Sequence, residues 1–122
     1  MSFLNPKSLF KSFNYAFKGV IQVFREEQSF RFQVLLGSLV LILAVWLRVQ
    51  IWEAVVLILV IVLVLVLELI NSIFERLVDV LKPRIHPYVQ TIKDIMAATV
   101  LIASFGAVVI GILIFGPYLF KI

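Results

Sequence analysis

ELINSIFERLVD, from Glu68 to Asp79, follows without interruption on an apolar tract spanning 54–67, so a carboxylate arrives where a helix is still at least partly inside a membrane. On a helix turning about 100° per residue, Asn71 lies about 60° from Glu68, Glu75 about 20° to one side and Asp79 about 20° to the other. These polar groups form one stripe. A carboxylate in a spanning segment costs roughly 2.5 kcal/mol or more unless it faces a polar interior or a partner, which makes such residues functional candidates. The plainer alternative is that Glu75 and Asp79 belong to a solvated helix end while Glu68 and Asn71 bond to neighbouring helices. Their sharing of one face after a full apolar span favours function.

Composition sets the frame for that stripe. Of 122 residues, 63% are hydrophobic, which is outside the soluble range and marks a one-domain integral membrane protein. Without cysteine, disulfides and thiolate metal sites are excluded, and a single histidine, His86, excludes a multi-histidine site within one chain. Any metal is therefore held by oxygen. The net charge of +4 comes from basic residues gathered beside the spans, where lipid headgroups and topology explain them better than nucleic acid does. The first stretch, 1–31, lacks the apolar core and small-residue cleavage site of a secretory signal.

The expected fold class is all-α: a polytopic membrane protein with three transmembrane helices and an N-terminal amphipathic surface helix. In the surface helix, 7–30, Leu9, Phe10, Phe13, Phe17, Val20, Ile21 and Phe24 recur every three or four positions, with Lys7, Lys11, Asn14, Lys18, Gln22 and Arg25 opposite. That pattern suits a helix lying in the membrane interface, started by an Asn5 cap and Pro6. Span 1 covers 32–50 and is expected to continue as helix past both Arg31 and Arg48, with Trp46 and Trp52 at the far interface. Span 2 covers 52–79. The prolines at 83 and 87 make 80–94 read as a cytoplasmic loop, and span 3 covers 95–120. In span 3, Thr99, Ala103, Ala107 and Gly111 form a small-residue seam for close helix packing.

Orientation follows from the charges. Lys7, Lys11, Lys18, Arg25, Arg31, Arg76, Lys82, Arg84 and Lys93 fall on one side, and only Arg48 and Lys121 on the other. The positive-inside rule puts the N-terminus and the polar stripe in the cytoplasm. Three spans enclose little by themselves, so the stripe is expected to face a neighbouring helix in a homo-oligomer.

The cytoplasmic boundary collects Glu27, Glu68, Asn71, Glu75, Asp79, Lys93 and Asp94. Hard oxygen ligands suit Mg²⁺, and Mg²⁺ beside an ammonium suits nucleotide phosphates. Phosphoryl transfer is the natural chemistry. No GxxxxGK[ST] occurs and the glycines are scattered, which excludes P-loop and protein-kinase machinery.

The run ELINSIFERLVD, with His86, Lys93-Asp94, the segment Ala16-Phe17-Lys18-Gly19 and the pair Glu27 and Arg31, resembles the small bacterial integral-membrane lipid kinases, the family of prokaryotic diacylglycerol kinase and undecaprenol kinase. The resemblance covers nearly the whole chain. It implies a homotrimer in the bacterial inner membrane that uses MgATP to phosphorylate the hydroxyl of diacylglycerol or undecaprenol at the cytoplasmic interface. By position, Glu68 resembles the general base with Asn71 beside it, and Glu27 and Glu75 the metal-binding pair. Tyr15, Glu27, Glu75, His86, Lys93 and Asp94 match the nucleotide-contacting positions. Glu26 is then the solvated neighbour of Glu27. Ile73 and Arg76 stand where the family motif commonly has alanine, and Met96, Ala97 and Thr99 depart from its usual small start to the last span. His86-Pro87 and Ala16-Phe17-Lys18-Gly19 lean toward the undecaprenol branch. A proton-coupled transporter and an inactive scaffold are the competing classes, the first disfavoured because no acid continues across spans 1 or 3.

Overall fold

Asn5 starts the first helix as expected. Its side-chain oxygen accepts from the Lys7 N–H at 3.0 Å and Pro6 occupies the first turn. The computed structural model describes residues 5–120, and every element in it is helical: α1 (Pro6–Glu26), α2 (Gln28–Leu47), α3 (Ile51–Ile85), a 3₁₀ turn (His86–Tyr88) and α4 (Val89–Phe120). Lys121, one of the charges used for orientation, lies outside the described residues.

The expected surface helix 7–30 is cut short. Glu27 is extended, with φ −117° and ψ 116°, and Gln28 already belongs to the next helix. Arg31 explains why the chain can bend there. Its Nη1 donates to the carbonyls of Phe24 and Arg25, both at 2.8 Å, satisfying acceptors that the end of α1 leaves open. The phenylalanine face of α1 is left uncovered, with Val23 the buried residue of that helix.

α2 also stops earlier than expected. Arg48 does not continue the helix but caps it in the left-handed region, with φ 55° and ψ 49° and its N–H turned back to the Ala44 carbonyl. For a residue with a Cβ this conformation costs about 1 kcal/mol. Gln50 then opens α3 with a capping box, its N–H donating to Glu53 Oε1 at 3.0 Å.

The expected loop at 80–94 is helical almost throughout. Pro83 sits in the last turn of α3, where only one helical hydrogen bond is forgone before the helix ends, and Pro87 is the second residue of a 3₁₀ turn, where no N–H is needed. α4 then runs antiparallel to α3. At one end Lys93 Nζ meets Asp79 Oδ1 at 3.6 Å; at the other the Tyr118 hydroxyl donates to Glu53. The segments Gln28–Leu47 and Ile51–Phe120 are long and apolar enough to cross a membrane.

Packing concentrates at the Glu53 end, where Ala44, Leu57, Ile114 and Phe115 form a buried cluster. Gly37 permits the close approach of α2 to α3, since a Cβ there would come within 2.9 Å of Ile61 Cγ2. Along the α4 seam, Ala107 and Gly111 line an open groove shared with Gly37 and Phe115, and a Cβ added at Gly111 would meet no described residue within 4 Å.

Glu53 is buried, so its bond to Tyr118 fastens the two helix ends. Tyr118→Phe removes a donor from a buried carboxylate and is expected to lower the thermal midpoint in detergent by about 4 °C or more. An unchanged midpoint would show that the bond contributes nothing to holding α4 against α3.

Candidate active site

Glu68 lies on α3 with only 4% of its surface exposed. The N-terminal turn of α2 covers it, and Ser29 Oγ donates to Glu68 Oε2 at 3.4 Å. One turn further along α3, Ser72 is 1% exposed and donates to Glu27 Oε1 at 2.8 Å. The arrangement is reciprocal. Each carboxylate is held by a hydroxyl from the opposing segment, and the α1–α2 break is what swings Glu27 toward α3.

Glu75 completes the inner group from the same helix, exposed, with Oε1 accepting from Asn71 Nδ2 at 3.2 Å. Hydrogen bonds tie Glu68 to Ser29, Glu27 to Ser72 and Glu75 to Asn71 around this part of α3. Asn71 also faces α4 across an apolar groove of about 360 Å³ lined by Leu67, Phe74, Met96 and Thr99.

Other candidates lie outside this group. Lys93 pairs with Asp79, and Asp94 accepts from Gln90 at 2.8 Å, both at the same end of the α3–α4 pair. Tyr15 stands on the exposed surface of α1 with the Lys18 ammonium 5.8 Å above its ring, and His86 is exposed at the start of the 3₁₀ turn. Among the described residues, neither Tyr15 nor His86 bonds to any of the carboxylates.

Glu26 corrects the expectation of a merely solvated neighbour. It is half exposed, but its Oε2 accepts from Arg76 Nη2 at 2.6 Å. The Arg76 guanidinium, helped by Gln22, holds this carboxyl below its ordinary value of 4.5. The tie is therefore complete above pH 4.5 and lost as pH falls through the depressed folded value. Hydrogen exchange around 25–27, corrected for its intrinsic pH dependence, should stay constant from neutrality to that point and rise below it. In Glu26→Gln the raised exchange should be present at every pH.

Ser29, Ser72, Glu26 and Arg76 are the contributors that sequence reasoning passed over. Ser72 had a signal, since it lies one turn from Glu68 on the same helix. Ser29 and Arg76 act on residues far away in sequence and had none.

The donor set suits a hard cation. No group of three or more acidic or histidine side chains is arranged to hold a metal among the described residues. Nucleotide-bound Mg²⁺ needs only one or two carboxylates, its other places being filled by water and phosphate oxygens. Glu27 and Glu75 are the carboxylates of this region that could serve in that way.

The sequence model of the family "Prokaryotic diacylglycerol kinase" matches residues 14–115. The chain is 34% identical over 110 residues to the undecaprenol kinase of Bacillus subtilis, covering 90% of this chain and 89% of that one. It is 35% identical over 113 residues to a diacylglycerol kinase of Helicobacter pylori, covering 93% and 85%. With the diacylglycerol kinase of Escherichia coli K12 the identity is 33% over 101 residues, 83% of each chain.

Proposed function

The chain belongs to the prokaryotic diacylglycerol kinase family, and from that membership we propose that it transfers the γ-phosphoryl group of MgATP to the hydroxyl of a membrane lipid. The observation that carries the reading to particular residues is the buried Glu68 on α3, with Glu75 two turns further along and Glu27 tied to Ser72 of the same helix. Glu68 takes the proton as the lipid oxygen bonds to the γ-phosphorus, the bond from that phosphorus to the bridging oxygen breaks, and ADP leaves. Asn71 orients the reacting end of the lipid. Its apolar groove against α4 suits the adjoining chain.

Glu27 and Glu75 would hold Mg²⁺, which when bound offsets the negative charge gathered on the phosphates. Lys93 supplies an ammonium for the nucleotide, and Asp94, His86 and Tyr15 line its approach. The last two stand apart from the carboxylates in this chain, a separation that fits contacts made only when nucleotide or a neighbouring subunit is present.

The same reading makes α2, α3 and α4 membrane spans in the bacterial inner membrane, with α1 lying on its cytoplasmic face. α2 is about 30 Å long, matching a bilayer core, whereas α3 at about 52 Å and α4 at about 48 Å project beyond it. The Glu75–Ile85 end of α3 then stands in the cytoplasm. The unfilled groove beside Gly111 and the uncovered helix faces support assembly as a homotrimer.

Relatives of both names match at nearly equal identity, so the acceptor is settled by assay. Purified protein in mixed micelles is given MgATP labelled at the γ-phosphate, with diacylglycerol and undecaprenol in parallel. Labelled lipid is the expected product, and the better acceptor names the branch. No labelled product from either lipid, with an intact oligomer, would sink the proposal for these substrates.

A further inference from the structure

Arg76 reaches the helix break that carries Glu27 by two routes. Its Nη2 donates to Glu26 Oε2 at 2.6 Å, and its Nε donates to Ser72 Oγ at 3.4 Å. Ser72 in turn donates to Glu27 Oε1 at 2.8 Å. Glu26 is the last residue of α1 and Glu27 the extended residue after it, so one guanidinium fixes the first directly and the second through a serine.

The chemistry of that serine is what gives the arrangement direction. A hydroxyl has a single proton, and an N–H aimed at its oxygen from one side leaves that proton to be donated on another. Ser72 is 1% exposed, so water does not compete for it and Glu27 receives it. The separated donors of the arginine fork reach Glu26 and Ser72 at once, which the single ammonium of lysine does less well. Among the described residues, no other basic side chain bonds to Glu26, Glu27, Glu68 or Glu75.

We infer that Arg76 is a positioning residue: through Ser72 and Glu26 it locks the α1–α2 break and sets where the Glu27 carboxylate stands relative to Glu68. The inference rests on the reading of Glu27 as a Mg²⁺-holding group. The Arg76–Glu26 pair is half exposed, and such pairs contribute little stability of their own. The effect of losing Arg76 therefore falls on metal affinity, with the fold nearly unaffected.

The test titrates Mn²⁺, seen by electron paramagnetic resonance, into purified full-length protein in detergent with a non-hydrolysable ATP analogue. The proteins compared are wild type, Arg76→Gln, Arg76→Lys, Ser72→Ala and Glu27→Gln. Arg76→Gln and Ser72→Ala should bind Mn²⁺ about 10-fold more weakly, the loss typical of a partner that orients a metal ligand, with oligomer size unchanged and, for Arg76→Gln, the thermal midpoint unchanged. Arg76→Lys should fall between them and wild type. In the lipid kinase assay the Mg²⁺ needed for half-maximal rate should rise by the same factor, with kcat at saturating Mg²⁺ within about threefold.

Arg76→Gln binding Mn²⁺ like wild type, while Glu27→Gln binds it weakly, overturns the inference alone. Full affinity in the reversed pair Glu26→Arg with Arg76→Glu also overturns it, because any cross-helix tie would then suffice. If Glu27→Gln itself binds Mn²⁺ normally, the metal role of Glu27 falls and the inference with it.

Discussion

Glu68→Gln is expected to lower lipid phosphorylation by about 10²–10⁴-fold while leaving the oligomer intact. The amide has nearly the same shape and its oxygen can still accept from Ser29, so the packing that buries this position at 4% exposure is kept. In the proposed mechanism, what it loses is the capacity to take a proton from the lipid hydroxyl. The loss belongs in kcat and in kcat/KM alike, because the missing interaction forms only as the hydroxyl attacks. The measurement is steady-state turnover in mixed micelles with size-exclusion chromatography alongside. Near-full turnover would remove Glu68 from the role of base.

Glu27→Gln is expected to produce the second large effect, of a different kind. Orienting partners of metal ligands cost 10–100-fold in affinity when lost, and loss of a ligand itself should reach the top of that range, about 100-fold in the Mg²⁺ required. Saturating Mg²⁺ should restore part of the rate, which it cannot do for Glu68→Gln. Glu75→Gln should behave like Glu27→Gln more mildly, since Glu75 is exposed and held by Asn71 alone among the described residues. A Glu27→Gln enzyme with wild-type Mg²⁺ dependence would remove this carboxylate from the metal site.

The inner group was legible because it lies mostly on one helix. A period of 3.6 residues places Glu68, Asn71 and Glu75 together whatever the rest of the chain does, while Glu27 enters only through the family resemblance. Helix ends were harder. Prolines at 83 and 87 made 80–94 read as a loop, yet each falls where a helix can spare its N–H. Arg48 ends α2 in a conformation usually left to glycine, and nothing in its side chain announces that. Contacts between distant segments left no trace at all: Glu26 to Arg76 and Ser29 to Glu68 depend on the bend at Glu27, which Arg31 stabilises through backbone carbonyls. Neither the Gln50–Glu53 capping box nor the Tyr118 bond to Glu53 was read from the sequence.

That Tyr118 bond imposes an order on biogenesis. Tyr118 lies 65 residues after Glu53, and at roughly 5–20 residues per second a ribosome delivers it about 3–13 seconds later. During that interval the carboxylate has its capping bond but lacks the phenol, and full burial in lipid is disfavoured. The outer end of α3 is then expected to wait at the headgroup level until α4 follows and closes the hairpin. On the proposed topology, insertion of the two helices is expected to be a single event timed by translation, and a nascent chain stalled before Tyr118 should remain accessible at Glu53 to polar reagents.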